Sequence, residues 1–169
     1  MKAKLIVDDK EFDIEITDPR VHEFVSKPGI YTGYERVYHH NTYYLVSETG
    51  KVCGNKDGFG YDTLCYDIAN YYSDKTVAEN NARADKLMRQ LRRFAVKHRE
   101  FKDNSHKEFK DDCWAIAYND TTGGLSPIKV EGIPIFGLPW FNSERAVNKA
   151  IRDFHKELIW YFTEYKDSL

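Results

Sequence analysis

Two stretches decide the fold: Tyr71-Tyr72-Ser73-Asp74-Lys75-Thr76-Val77-Ala78-Glu79 and Trp140-Phe141-Asn142-Ser143-Glu144-Arg145-Ala146-Val147. Each places an aromatic pair before a small polar cap and then a charged first turn, with a one-residue slip between the two after the aromatic pair. Each opens a long amphipathic helix, and each follows a segment that reads as strands. The reading is an α+β fold built from two strand–strand–helix modules. Two such modules can bury their apolar faces against each other, which a single one does poorly.

Working outward, the first helix spans about 74–100, with Ser73 as its expected cap. Ala84, Leu87, Met88, Leu91, Phe94, Ala95 and His98 recur at three- and four-residue spacing and form a core stripe. The last helix spans about 144–166, capped by Ser143 or Asn142. Its buried face is Val147, Ala150, Ile151, Phe154, Leu158, Tyr161, Phe162 and Tyr165. Upstream of the first helix, Tyr31 to Tyr38 and Tyr43 to Val46 are β-rich, and Ser47-Glu48-Thr49-Gly50-Lys51 turns the chain toward Val52-Cys53. Residues 54–70 read as an irregular stretch whose glycines are loop glycines, because they lack phosphate-loop spacing. Upstream of the last helix, Cys113 to Tyr118 is a strand, Asn119-Asp120-Thr121-Thr122-Gly123-Gly124 a turn, and Leu125 to Val130 the return. At the N-terminus, Leu5-Ile6-Val7 and the alternating Phe12, Ile14, Ile16 flank Asp8-Asp9-Lys10 as a β-hairpin. The expected segments are therefore 1–30 (hairpin and turn), 31–100 (first module) and 101–169 (second module), together forming one compact domain.

With 169 residues, 41% hydrophobic and 31% charged, the chain has a globular composition and enough length to fold without metal or disulfide support. A net charge of −2 argues against both an acidic nucleic-acid mimic and a generally basic DNA-coating protein. Three scattered cysteines, Cys53, Cys65 and Cys113, form no Cys-x-x-Cys pair, so neither a disulfide scaffold nor a zinc site is expected. The first apolar run is too short for a signal peptide, and no stretch approaches a membrane span. A cytoplasmic setting fits these features best.

Residues for chemistry are sparse. His39 and His40 are adjacent and would point to opposite faces of a strand. His98 and His155 border apolar helix faces. No nucleophile elbow or Cys–His signature is present. Asp57, Asp62 and Asp67 group in one loop but lack the EF-hand pattern, so no metal and no cofactor are expected. The chain reads as a non-enzyme.

The best local signal is charge. Lys86, Arg89, Arg93 and Lys97 fall within a band about 80° wide on the first helix. This basic ridge is either a solvated face or a contact for nucleic acid, a phosphate-bearing ligand or an acidic partner. The second signal is Trp160. It lies nine residues after Ile151, about 180° around an unbroken helix, among Asp153, Lys156, Glu157 and Glu164. That phase predicts an exposed indole and a protein–protein contact, most simply a homodimer. The competing arrangement buries Trp160 under its own chain.

Several stretches together carry a resemblance: Gly33-Tyr34-Glu35-Arg36-Val37, Tyr43-Tyr44-Leu45-Val46, Asn70 to Lys75, Ala82 to Ala95, and the second helix start around Trp140 to Glu144. They resemble small accessory proteins of phages and prophages of Gram-positive bacteria. The likeness runs from about residue 33 and transfers no catalytic residue. It implies action in the host bacterial cell, in a setting where compact non-enzymatic proteins inhibit host defences. The expected function is therefore binding and inhibition of a bacterial defence component, such as a CRISPR effector, or capture of a defence signal molecule. The alternative is a nucleic-acid-binding accessory protein in phage replication or regulation.

Overall fold

The computed structural model describes residues 2–7, 10–15, 32–37, 40–58, 60–99, 113–131 and 139–165. Residues 20–26, in the turn expected after the N-terminal hairpin, and residues 100–111, between the first helix and Cys113, lie outside these. The chain divides into two units, Met1–Thr32 and Gly33–Leu169. The first unit holds β1 (Lys2–Val7) and β2 (Lys10–Glu15), paired antiparallel from Lys2↔Glu15 to Val7↔Lys10.

The second unit is α+β and holds both strand–strand–helix modules. In the first module, β3 (Thr42–Val46) pairs antiparallel with β4 (Val52–Lys56), and the chain then forms α1 (Tyr61–Asp67) and α2 (Lys75–Lys97). In the second, β5 (Cys113–Asn119) pairs antiparallel with β6 (Gly124–Val130) and leads to α3 (Glu144–Asp153) and α4 (His155–Trp160), followed by a π-helical turn over Tyr161–Tyr165. Among the described residues β6 pairs only with β5, and an edge strand of this kind accommodates Pro127.

Both helices are reached in the same way. Tyr72 exchanges two backbone hydrogen bonds with Tyr44 of β3, at 2.8 and 2.9 Å; Phe141 does the same with Trp114 of β5, both at 2.9 Å. Two residues later comes the cap. Asp74 accepts from the N–H groups of Thr76 and Val77, and Ser143 accepts from that of Ala146. The expected cap Ser73 is corrected to Asp74, and with that correction the slip between the two starts disappears. Tyr72 stands where Phe141 stands, and Asp74 where Ser143 stands. Ser73 serves differently: its hydroxyl donates to Glu35 Oε2 at 3.0 Å and its N–H to the Gly33 carbonyl at 2.8 Å. Gly33 sits at φ +83°, and a Cβ there would lie 2.6 Å from Val77 Cγ2, so only glycine fits against the helix start.

α2 is buried on two opposite sides. Leu87, Leu91 and Phe94 join Ile116, Phe141, Ala146, Val147, Ala150 and Leu158 in one aliphatic core shared by the two modules. About 180° around, Ala78 and Ala82 are buried where the helix meets β3 and β4, and their small side chains permit that close approach. A second, smaller core belongs to the first module alone: Tyr43, Cys65 and Tyr71, with Val37 and Leu45 against them.

Three sequence expectations change. Residues 32–37 form no strand. The stretch expected to be irregular from 54 to 70 contains the end of β4 and all of α1. The last helix is not continuous: Phe154, at φ −115° and ψ 16°, separates α3 from α4. No Gly or Pro marks that break; it coincides with edge-on packing of the Phe154 ring on Phe94 at 5.5 Å.

Candidate functional site

The ridge is built by the second half of α2. The first half of α2 buries Ala78 and Ala82 at its own hairpin and the second half buries Leu87, Leu91 and Phe94 in the shared core, so Lys86, Arg89, Arg93 and Lys97 lie in the second half on the side away from that core. All four are exposed, as is Arg92 beside them. The β3–β4 turn reaches as far as Arg89: a Cβ on Gly50, which sits at φ +80°, would lie 4.0 Å from Arg89 Nη2. From Lys86 to Lys97 the helix rises about 16 Å. The ion pairs among the described residues are Arg36–Asp57, Lys75–Glu79 and Arg83–Glu157, and the ridge takes part in none of them. Four uncommitted cations along one helix edge can meet several anionic groups at once, with Arg89 and Arg93 offering forked donors to carboxylate or phosphate.

Arg83, earlier on the same helix, is committed. Its Nε donates to Glu157 Oε2 at 2.8 Å and its Nη2 to Glu157 Oε1 at 3.2 Å. Those hydrogen bonds hold the Glu157 carboxyl below the usual carboxylate range, against a smaller opposing effect of burial. The same guanidinium lies 3.8 Å above the Trp160 ring, and Tyr165 approaches the indole at 5.5 Å.

Trp160 is therefore corrected. It is 5% exposed, covered by its own chain, and the exposure that motivated an interface there is absent. Within α4 itself Leu158 and Trp160 lie about 200° apart and both are buried, so the helix is covered on two sides: Arg83 and Tyr165 close over the face on which the phase placed Trp160, which is the competing arrangement.

His98 links the two modules. Its ring stacks on Phe94 at 3.9 Å, and its Nε2 accepts from Lys149 Nζ at 2.8 Å. An ammonium can only donate, so Nδ1 carries the proton and donates to the Phe94 carbonyl at 3.0 Å.

The aspartate group divides. Asp57 and Asp62 are 6% and 3% exposed, whereas Asp67 is exposed. Asp62 Oδ1 accepts from the Tyr43 hydroxyl and Oδ2 from the Gly58 N–H, both at 2.6 Å. Burial first, and then this bond to Asp62, keep the Tyr43 hydroxyl protonated far above the usual tyrosine range. Asp57 pairs with Arg36 Nη2 at 3.6 Å, and its Oδ1 makes no hydrogen bond among the described residues. Among those residues, no group of three or more His, Cys, Asp or Glu is placed to hold a metal ion. No described helix is long and apolar enough to cross a membrane.

Sequence reasoning missed α1. Its outward residues, Tyr61, Leu64 and Ile68, are 61%, 62% and 71% exposed. The signal was present as i, i+3, i+7 spacing, but such spacing points to a buried face, and this one faces outward.

No protein-family model, curated protein or solved structure matches this chain.

Proposed function

We propose that this chain is a non-catalytic binding protein of phage type, which docks its basic ridge on an acidic surface of a bacterial defence component and blocks it, as an anti-CRISPR or related inhibitor. The carrying observation is the ridge: four exposed cations in line, outside every ion pair among the described residues, on a helix anchored in the shared core. The resemblance to phage accessory proteins supplies the setting, inside the host bacterial cell. The second reading is nucleic-acid binding through the same cations, and it differs by its salt dependence.

The test is a plaquing assay in a CRISPR-armed host that expresses the protein. Wild type restores plaquing. The double variant Arg89→Glu/Arg93→Glu does not, while its thermal midpoint stays within a few degrees of wild type, because exposed charge changes cost about 0.5 kcal/mol or less. Normal restoration by the double variant would reduce the ridge to a solvated face. Steeply salt-dependent binding of oligo-dT by the wild type, without restoration, would select the nucleic-acid reading.

A further inference from the structure

Val96 is the most exposed large apolar side chain among the described residues, at 73%. It lies nine residues after Leu87, which turns it about 180° away from the shared core. Arg92 and Arg93 stand one turn before it, about 40° to one side and about 60° to the other. Arg89 stands two turns before it, within about 20° of its phase. All three arginines are exposed, so a bare valine sits enclosed by guanidinium groups.

The same side of α2 is covered further back. Ala78 precedes Val96 by five whole turns and so shares its phase, and it is fully buried where the helix meets its own hairpin. The turn of that hairpin comes as far as Arg89, through Gly50. Beyond Arg89 the side continues for about 10 Å to Val96, where it stands open. Helix formation does not explain a valine there. It is a weaker helix former than lysine, arginine, glutamate or alanine, and at this exposure it buries little. A single apolar residue on a mixed surface needs no explanation. Val96 instead lies inside the one aligned group of cations to which binding is assigned above.

We propose that Val96 is the apolar anchor of the ridge, and that the occupant is a protein surface with an apolar side chain at its centre and carboxylates around it. The apolar side chain covers Val96, and the carboxylates reach Arg89, Arg92 and Arg93, whose forked donors match them. This rests on the binding-protein reading above and names the chemistry of the partner.

Charge selects this occupant. A phosphate backbone offers nothing apolar to cover Val96. The chain has a net charge of −2, whereas nucleic-acid-binding domains carry a marked basic excess. Exposed Asp85 stands one turn before Arg89, and the turn that meets Arg89 carries exposed Glu48. A strand of phosphates running past the ridge would meet both carboxylates and be repelled. A second copy of this chain laid ridge to ridge would oppose like charges.

Val96→Ala and Val96→Lys test this, because alanine and lysine both favour a helix over valine and leave α2 intact. In the plaquing assay, Val96→Ala should lower the efficiency of plaquing about tenfold, the effect of two buried methyl groups on affinity. Val96→Lys should lower it at least as far although it adds a cation, because an ammonium against an apolar centre is left unpaired. Thermal midpoints of both should stay within a few degrees of wild type. Normal restoration by either Val96 variant, with loss in Arg89→Glu/Arg93→Glu, would sink this inference and leave the inhibitor reading standing. No restoration by wild type would sink both. Binding of duplex DNA by wild type that Val96→Ala weakens about tenfold in fluorescence anisotropy would overturn the proposal, since a thymine methyl would then cover the valine. So would a wild-type dimer in sedimentation that Val96→Lys dissolves, which would put a second copy on this face.

Discussion

The two modules share a plan and differ in what fills it. In each, a hairpin, an aromatic bridge to the hairpin's first strand and a polar cap lead into a helix. The second module packs mainly aliphatic residues with Phe141 inside, and its helix is interrupted at Phe154, which packs against the shared core. The first adds a tyrosine-rich core of its own: Tyr43 stacks on Tyr71 at 4.2 Å, and the Tyr71 hydroxyl accepts from the Val37 N–H at 3.1 Å. It also carries a continuous helix of 23 residues with the ridge on it. Outward positions on the second module's helices mix signs, with Glu144, Arg145, Arg152, Asp153 and Lys156 all exposed. The aligned exposed cations, by contrast, lie on the first module's helix.

If the aliphatic core is common to both modules, its loss must cost most. Leu91 is 1% exposed and belongs to that core. Leu91→Ala should cost about 3 kcal/mol in urea unfolding, through lost transfer energy and an unfilled cavity. Tyr43→Phe, in the first module's own core, should cost about 1–2 kcal/mol, because it strips a hydrogen bond from buried Asp62. Equal costs would mean that the shared core is not the principal one.

The buried tyrosines of the first module make it alkali-sensitive. Burial first, and then Tyr34 and Asp85, push the Tyr72 hydroxyl up to about 12. Tyr71 and Tyr43 are raised chiefly by burial as well. A raised folded value means that the unfolded chain releases its protons first. Stability is then complete below about pH 10, the usual tyrosine value, and falls as pH climbs toward 12. Tyr72→Phe should flatten that decline in thermal midpoints measured between pH 8 and pH 11. An unchanged slope would separate Tyr72 from the alkaline limb.

A smaller effect lies where the modules meet. Glu157 is depressed by its hydrogen bonds from Arg83, so its contribution is present above the usual carboxylate range and is lost as pH falls through the folded value. The pair is more than a third exposed, and solvent limits the effect to less than about 1 kcal/mol. Glu157→Gln should flatten the acid limb of stability slightly and leave the alkaline limb unchanged. A steeper acid limb in the variant would contradict this.

The contrast also explains what was legible in the sequence. The hairpins around Asn119–Gly124 and Ser47–Lys51, the helix starts and the stripe from Leu87 to Phe94 follow from turn chemistry and periodicity, which act locally. The ridge was legible because helical phase holds along an uninterrupted helix. The same arithmetic put Trp160 on the side away from Leu158 but could not say what lies over that side, since only the folded chain brings Arg83 and Tyr165 there. α1 was hidden for a different reason: hydrogen bonds to Asp62 from Tyr43, in β3, and from Gly58 set which face is buried, and the Tyr43 bond arises only once the chain has folded. Ser73 resembles a cap as closely as Asp74 does. Only the clasp from Gly33 and Glu35 shows why the cap lies one residue later.

The central claim is that binding resides on the first module's helix and not on its counterpart. The direct measurement compares Arg89→Glu/Arg93→Glu with Arg145→Glu/Arg152→Glu, a matched reversal at exposed positions of α3, in the plaquing assay, with thermal midpoints recorded for both. Both variants should stay folded with midpoints near wild type. Restoration of plaquing should vanish in the first and persist in the second. Equal loss in both, or loss only in the α3 variant, would contradict the assignment of the binding face to the ridge.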